Sequence, residues 1–243
     1  MRTRVRSNFL FIIVCLFFLL SGGSRLFGKL GFQASLGLVG NDGVDHPSQG
    51  IGFKTNIGKG FGCQFGLVYC RDIGAHQILR VDALYALKGD ATTLKLWIVP
   101  TGKINQEPTM CSIRAQYHYF EIPLLLENYF SHRKQGFHLL VGLYAAYLLK
   151  ASMSGLEGDN WKYFLYDYSA VKRYDFGWII GFGTKAKNSR RWRENFQVKV
   201  ERGMVDIALK DFKRGYPHYG STKNLTLMLT LSFTKGGSEG MGT

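Results

Sequence analysis

The chain has 243 residues, a formal net charge of +14, 46% hydrophobic and 14% aromatic residues, 30 glycines and 5 prolines. A composition rich in Gly and aromatics and poor in Pro argues against disorder and against a helical bundle. Only the N-terminus holds a long uncharged apolar stretch, which excludes a multi-span helical membrane protein.

The first element is an address. Arg2, Arg4 and Arg6 precede the apolar run 9–20, and Ser21, Gly22, Gly23 and Ser24 follow it. A basic start, a short apolar core and small residues form the pattern of a secretory signal peptide over 1–24, with cleavage within 21–28. The apolar run, at about 12 residues, is short of the roughly 20 a spanning helix needs. An uncleaved anchor is the alternative. Beyond it, Cys63, Cys70 and Cys111 are spaced like no metal motif, so no metal or cofactor is expected. They read as small apolar strand residues, with one disulfide plus a free thiol as the alternative.

From residue 29 the chain alternates with period two, the mark of half-buried strands. Leu30, Phe32, Ala34, Leu36 and Leu38 share one face of 30–38, and Phe61, Cys63, Phe65, Leu67 and Tyr69 share one face of 61–69. In 79–88, Leu79, Val81, Ala83, Tyr85 and Leu87 alternate with Arg80, Asp82, Leu84, Ala86 and Lys88. Strand 112–130 reads as odd apolar positions up to Tyr117 and Tyr119, then even ones from Phe120 to Leu126. Pro123 follows the change, so a β-bulge near 119–123 is expected. Strands 137–149, 174–183 and 225–233 alternate cleanly. Strand 195–209 carries a second change of parity, at Gly203.

Eight strands result. The connections around 71–75, 131–135 and 187–192 are short; those around 41–60, 89–111, 151–173 and 210–222 are long. This alternation predicts an all-β, eight-stranded antiparallel up-and-down transmembrane barrel over 29–234, with tight periplasmic turns, long external loops and both termini on the periplasmic side. Residues 235–243 read as a flexible polar tail. A soluble barrel of the lipocalin kind would turn the apolar stripes inward instead. Three features favour lipid: small residues on the polar face, aromatic clusters at strand ends that read as girdles (Tyr117, Tyr119, Phe120, Tyr129, Phe130, Tyr174, Phe176), and few charges within the stripes.

The polar face would then carry Arg80, Asp82, Lys88, Arg114, His118, Glu121, Glu127, Asp175, Lys199 and Glu201 into the lumen. Both signs are present, and buried charges must pair. One reading is a salt-bridged plug; the other is a narrow polar path for small solutes, with Arg80, Asp82, Arg114, Glu121 and Lys199 setting selectivity. A partner-binding surface is expected in the loop 160–168, at Trp161, Tyr163, Tyr166 and Tyr168. Lys185, Lys187, Arg190, Arg191 and Arg193 crowd the third short turn, and His132, Arg133 and Lys134 fill the second. At a periplasmic surface these would meet anionic lipid heads or an acidic partner. Nucleic acid, the usual partner of such clusters, is set aside by the export signal.

Gly236-Gly237-Ser238-Glu239-Gly240 fits the nucleophile-elbow pattern but lies in the polar tail, not at a strand-to-helix turn. Gly181 to Ala186 fits a dinucleotide-loop pattern but leads into a basic turn. His118 with Glu121 is the nearest local acid–base pair, and no Ser or Cys partner accompanies it. The chain is therefore read as a non-enzyme.

The blocks YFEIPLLLENYF (119–130), LLVGLYAAYLLKAS (139–152) and YDFGWIIGFG (174–183), in that order, resemble those of the PorT-like "outer membrane protein beta-barrel domain" family, also grouped as porin-family proteins of Gram-negative bacteria. LRVDALYALKGD at 79–90 is similar to that family's third-strand block. The chain departs from the pattern at Gly142-Leu143-Tyr144, where Gly-Pro-Tyr is usual, and in the tail beyond Phe233. The resemblance implies a barrel fold and the bacterial outer membrane. Its founding member is a factor for dedicated protein secretion, most members have no assigned activity, and no catalytic residue carries over. The expected role is an anchor or scaffold for an envelope or protein-secretion assembly, with outer-membrane lipid and protein partners. The alternative is a narrow porin; an outer-membrane enzyme comes third.

Overall fold

The computed structural model describes residues 28–42, 60–96, 109–131, 136–157, 160–164, 172–185, 192–205 and 223–235. These form nine strands: β1 (Lys29–Asp42), β2 (Gly60–Asp72), β3 (Gln77–Leu96), β4 (Thr109–Tyr129), β5 (Gly136–Glu157), β6 (Asn160–Phe164), β7 (Tyr174–Lys185), β8 (Trp192–Gly203) and β9 (Lys223–Lys235). Every pairing is antiparallel. Consecutive barrel strands are neighbours, and β1 pairs with β9 from Gly31↔Thr234 to Asp42↔Lys223, closing the sheet into an eight-stranded barrel. Closure removes every edge within the barrel, as hydrocarbon demands of a spanning sheet. No helix among the described residues is long and apolar enough to cross a membrane; the strands are the elements that span.

The apolar stripes face outward. Leu30, Phe61, Phe65, Leu67, Leu143, Phe176, Phe182 and Leu229 are all exposed on the outer wall, while the residues of opposite parity are buried or half-buried. A water-facing wall of this size and polarity would be an aggregation surface; a lipid-facing one is the ordinary solution. The lipocalin alternative is thereby dismissed.

The expected bulge falls elsewhere. The β4–β5 register shifts between His118 and Tyr119, but the extra residue is Leu149 of β5: Tyr119 pairs with Leu148 and His118 with Lys150. On its other side β4 keeps one register with β3 throughout. Its alternation is therefore unbroken. Tyr117 stands opposite inward-facing Lys88, and Tyr119 is fully buried in the lumen. Neither is a girdle residue. Tyr129 is likewise buried inside. The tyrosines mislead because each is apolar in bulk yet carries a hydroxyl suited to a polar interior. Pro123 has no N–H to give, and the β3–β4 ladder omits the two rungs around it. The parity change expected at Gly203 is replaced by an ending: β8 stops there, and 206–209 lie outside the described residues.

The strands differ in length. β1, β2, β7, β8 and β9 run 12 to 14 residues, whereas β3, β4 and β5 run 20, 21 and 22. A tilted spanning strand needs about 9–11 residues. The surplus rises at the long-loop end, roughly 25 Å of strand at about 3.3 Å per residue. There β6 pairs with β5 from Met153↔Phe164 to Glu157↔Asn160. A four-stranded tier thus stands above one side of the barrel; of its strands, 112–118 of β4 was expected from sequence, whereas 89–96, 109–111 and 151–164 were expected as loop.

Candidate functional site

The inner face carries two networks of buried charged and polar side chains. Arg80 of β3 lies at the centre of the first of two networks. Its Nε donates to Asp82 Oδ1 at 2.8 Å and one terminal nitrogen to Asp82 Oδ2 at 2.9 Å. The other donates to Glu127 Oε1 at 3.2 Å and to Gln197 Oε1 at 3.1 Å, and Gln33 completes the set. Asp82 reaches Arg80 because residues i and i+2 share a face of one strand. Glu127 accepts from Tyr129 Oη at 2.7 Å, and Lys185 Nζ donates to that hydroxyl at 3.3 Å. The Tyr129 and His138 rings stack at 4.7 Å, and Gln197 Nε2 lies 3.2 Å from His138 Nε2.

The second network lies toward the long-loop end. Lys88 Nζ sits 2.8 Å from Glu121 Oε2 and 3.5 Å from Glu201 Oε2, and Lys199 Nζ sits 3.5 Å from Glu201 Oε1. Gln64 joins both carboxylates, donating to Glu201 Oε2 at 2.9 Å and to Glu121 Oε1 at 3.4 Å. The Lys88 ammonium stands 4.6 Å from the Tyr144 ring centre, and Tyr144 Oη donates to Asp175 Oδ2 at 3.1 Å. Asn224 Nδ2 donates to the same oxygen at 2.7 Å. An apolar cluster that includes Leu125, Leu140, Tyr144, Leu148 and Ile179 packs among these groups on the inner face.

Among the described residues, four buried cations (Arg80, Lys88, Lys185, Lys199) face five buried carboxylates (Asp82, Glu121, Glu127, Asp175, Glu201). Lys88, Lys199 and Gln197 have no exposed surface. Arg80, Lys88 and Lys199 are held by ion pairs with Asp82, Glu127, Glu121 and Glu201, whereas Asp175 is held by Tyr144 and Asn224 and Lys185 by Tyr129; an isolated charge there would cost far more than one bond repays. No group of three or more potential metal ligands occurs among the described residues.

Glycines make room for this traffic. Gly183 of β7 lies between His138 and Gln197, its cross-strand partners. A Cβ there would sit 2.7 Å from each of their side chains. Gly183→Val is therefore expected to destabilise the barrel by about 1–3 kcal/mol through overpacking, read as a lower urea midpoint of the folded gel band.

Of the residues read from sequence, Arg80 and Asp82 join the first network, and Glu121, Lys199 and Glu201 the second, with Asp175 above it. His118 does not. It stands on the outer wall beside outward-facing Tyr85, to which its ring nitrogen is hydrogen-bonded, because β4 never changes parity. His118 and Glu121 thus lie on opposite faces, and that acid–base pair does not exist. The side chain of Arg114 lies outside the described part; its backbone pairs with Ala91 and Ser154 in the raised tier. Trp161 and Tyr163 lie on β6, opposite Leu156 and Ser154, whereas Tyr166 and Tyr168 lie outside the described residues. Of the basic turn, Lys185 is the last residue of β7 and points into the lumen. Arg193 is on β8. Lys187, Arg190 and Arg191, like His132, Arg133 and Lys134, lie outside the described residues. Cys63 is on the outer wall and Cys70 on the inner, both as free thiols. The sequence reading did not single out Gln33, Gln64, Gln197, Tyr144 or Asn224. Their place on the polar parity was the available signal.

A family model for the outer membrane protein beta-barrel domain matches residues 28–208. The chain belongs to this family. As a member, it is a barrel of the bacterial outer membrane. Similar solved structures include Neisserial surface protein A, at 8% identity and TM-score 0.42 over 84% of this chain and 95% of that one. OprG of Pseudomonas aeruginosa is similar at 12% identity and TM-score 0.40, over 86% and 95%. Outer membrane protein W of E. coli is similar at 14% identity and TM-score 0.36, over 85% and 97%. No curated protein sequence matches the chain.

Proposed function

We propose that this barrel is a non-catalytic anchor or scaffold of the PorT-like kind, serving an envelope or protein-secretion assembly through its ends rather than its lumen. The observation that carries the reading is the ion pairing of the interior: Arg80 with Asp82 and Glu127, Lys88 with Glu121 and Glu201, and Lys199 with Glu201. Interior charges that bind one another are not free to line a solute path, and Lys88, Lys199 and Gln197 are fully buried. That argues against the narrow porin. The separation of His118 from Glu121 removes the local basis for an enzyme.

What remains for function is the surface outside the bilayer. The tier of β3, β4, β5 and β6 extends the chain's reach beyond the membrane on one side, and it contains Trp161 and Tyr163, residue types that anchor interfaces. In this reading the short turns and both termini face the periplasm and the tier faces outward.

A photo-crosslinking residue at position 161, in cells of the native host, is expected to trap a discrete protein adduct. The same residue at outward-facing Leu143 should trap lipid only. If position 161 and position 163 yield no protein adduct while deletion of the gene impairs uptake of a small solute, the scaffold reading fails.

A further inference from the structure

We infer that the lumen holds one resident monovalent cation, bound at its long-loop end by the carboxylate of Asp175 together with neutral oxygens. The inference does not depend on the scaffold role.

Charge singles out Asp175. Four of the five buried carboxylates meet a cation: Asp82 and Glu127 meet Arg80, Glu121 meets Lys88, and Glu201 meets Lys88 and Lys199. Asp175 is 2% exposed and makes no ion pair among the described residues. The remaining buried cation, Lys185, ends the same strand, roughly 33 Å away at about 3.3 Å per residue. Lys88 is held by Glu121 at 2.8 Å. Arg173, whose carbonyl accepts from the Leu148 N–H, is exposed. The long-loop half of the interior thus sets Lys88 and Lys199 against Glu121, Glu201 and Asp175, one negative charge in excess. Buried charges are paired or coordinate a metal ion.

The surroundings of the carboxylate supply oxygens and no cation. Asp175 Oδ2 accepts from two neutral donors, Tyr144 Oη at 3.1 Å and Asn224 Nδ2 at 2.7 Å. Oδ1 has no hydrogen-bond partner among the described residues. Gly203 admits the carboxylate, because a Cβ there would come 3.0 Å from Oδ1. The Tyr119 hydroxyl stands by the Asn224 side chain but out of bonding geometry, and it too is unpartnered. Thr226 Oγ1, next after Asn224 on the inner face of β9, is a third such oxygen. Tyr119 and Thr226 are both fully buried. A carboxylate oxygen with hydroxyls is a hard donor set, without the imidazole or thiolate that favours a transition metal. Water would satisfy the hydroxyls but leave the charge; a single monovalent ion answers both.

The test follows urea unfolding of the mature chain refolded into phosphatidylcholine vesicles, read by the heat-modifiable gel band, in sodium chloride and in choline chloride of equal ionic strength. About 100 mM sodium is expected to raise the folded-to-unfolded ratio about tenfold over choline, the gain for a free ion at about ten times its dissociation constant. Asp175→Asn should unfold alike in the two salts. Tyr119→Phe keeps every charge and removes an unbonded hydroxyl, so it should hold its midpoint in choline and lose most of the sodium gain; it decides the matter if Asp175→Asn does not fold. Equal midpoints for the wild type in the two salts overturn the site, since Asp175 would then be neutral without an ion. A sodium gain that persists undiminished in Asp175→Asn or Tyr119→Phe overturns it as well, because the salt would be acting elsewhere. Neither result bears on the scaffold reading, which the crosslinks decide separately.

Discussion

Replacing Arg80 with methionine is expected to destabilise the barrel by about 3–5 kcal/mol, the cost of leaving buried charges without their partner. The guanidinium serves two carboxylates and two amides at once: Asp82, Glu127, Gln197 and Gln33. Both carboxylates are fully buried. With the cation gone, water cannot reach them unless the barrel opens. Neutralising them in the same chain, as Arg80→Met with Asp82→Asn and Glu127→Gln, should recover most of the loss, because polar groups that remain can still bond one another. Urea unfolding of the refolded protein in phospholipid vesicles, followed by the folded gel band, measures both. A single variant within about 0.5 kcal/mol of wild type, the scatter of ordinary surface changes, would mean that the pairs are solvated and the network is not a plug.

The second large effect concerns the outer wall. Leu143 is 61% exposed, flanked by Leu124 of β4 and Trp178 of β7 in register. An arginine placed there should cost about 2–4 kcal/mol if the position faces the bilayer midplane, and Thr184→Arg, at the short-turn end of β7, only about 0–1 kcal/mol. Leu227→Arg on β9 should behave like Leu143→Arg. The depth dependence is the diagnostic part: a barrel whose outer wall met water would tolerate all three changes alike. The measurement is the fraction assembled into vesicles and its unfolding free energy.

Much of this architecture was legible in the sequence because the side-chain period of a strand is fixed. Where one stripe reads without interruption, as in 30–38, 174–183 and 225–233, the face assigned from sequence is the face observed. The errors lie where a residue type suits both sides. Tyr117, Tyr119 and Tyr129 carry enough apolar surface for a girdle and a hydroxyl for the interior, so parity inferred from them invented a bulge in β4. The real one, at Leu149, lies in an unbroken apolar run (Ala145 to Leu149) where no polar residue marks the slip. His118 followed the same error to the wrong face.

The interior was legible in its charges and less so in its partners. Arg80, Asp82, Glu121, Asp175, Lys199 and Glu201 stand out because a charge in a strand needs an explanation. Glutamines do not, yet Gln64 joins the carboxylates of Glu121 on β4 and Glu201 on β8, and Gln197 joins Arg80 of β3 to Glu127 of β4. Which charge meets which depends on the barrel's closure across β1 and β9, and periodicity along single strands carries no information about that. The raised tier was missed for a different reason. Beyond the bilayer no lipid enforces a period of two, so the outer ends of β3 and β5, and β6, read as loop, while β4 was read as strand from 112 on. A hairpin signal did exist in Glu157-Gly158-Asp159-Asn160, a Gly-Asp pair between two strand-like runs.

The most direct test of the closed interior is single-channel recording from the mature chain refolded into a planar phosphatidylcholine bilayer, with the heat-modifiable gel band as proof of folding. The folded wild-type barrel is expected to be electrically silent across the range in which porins conduct, and the Arg80→Met variant, if it inserts, to show intermittent openings. Steady, ion-selective conductance from the wild type would show that the charges of β3, β4 and β8 line an open path, and would contradict the account.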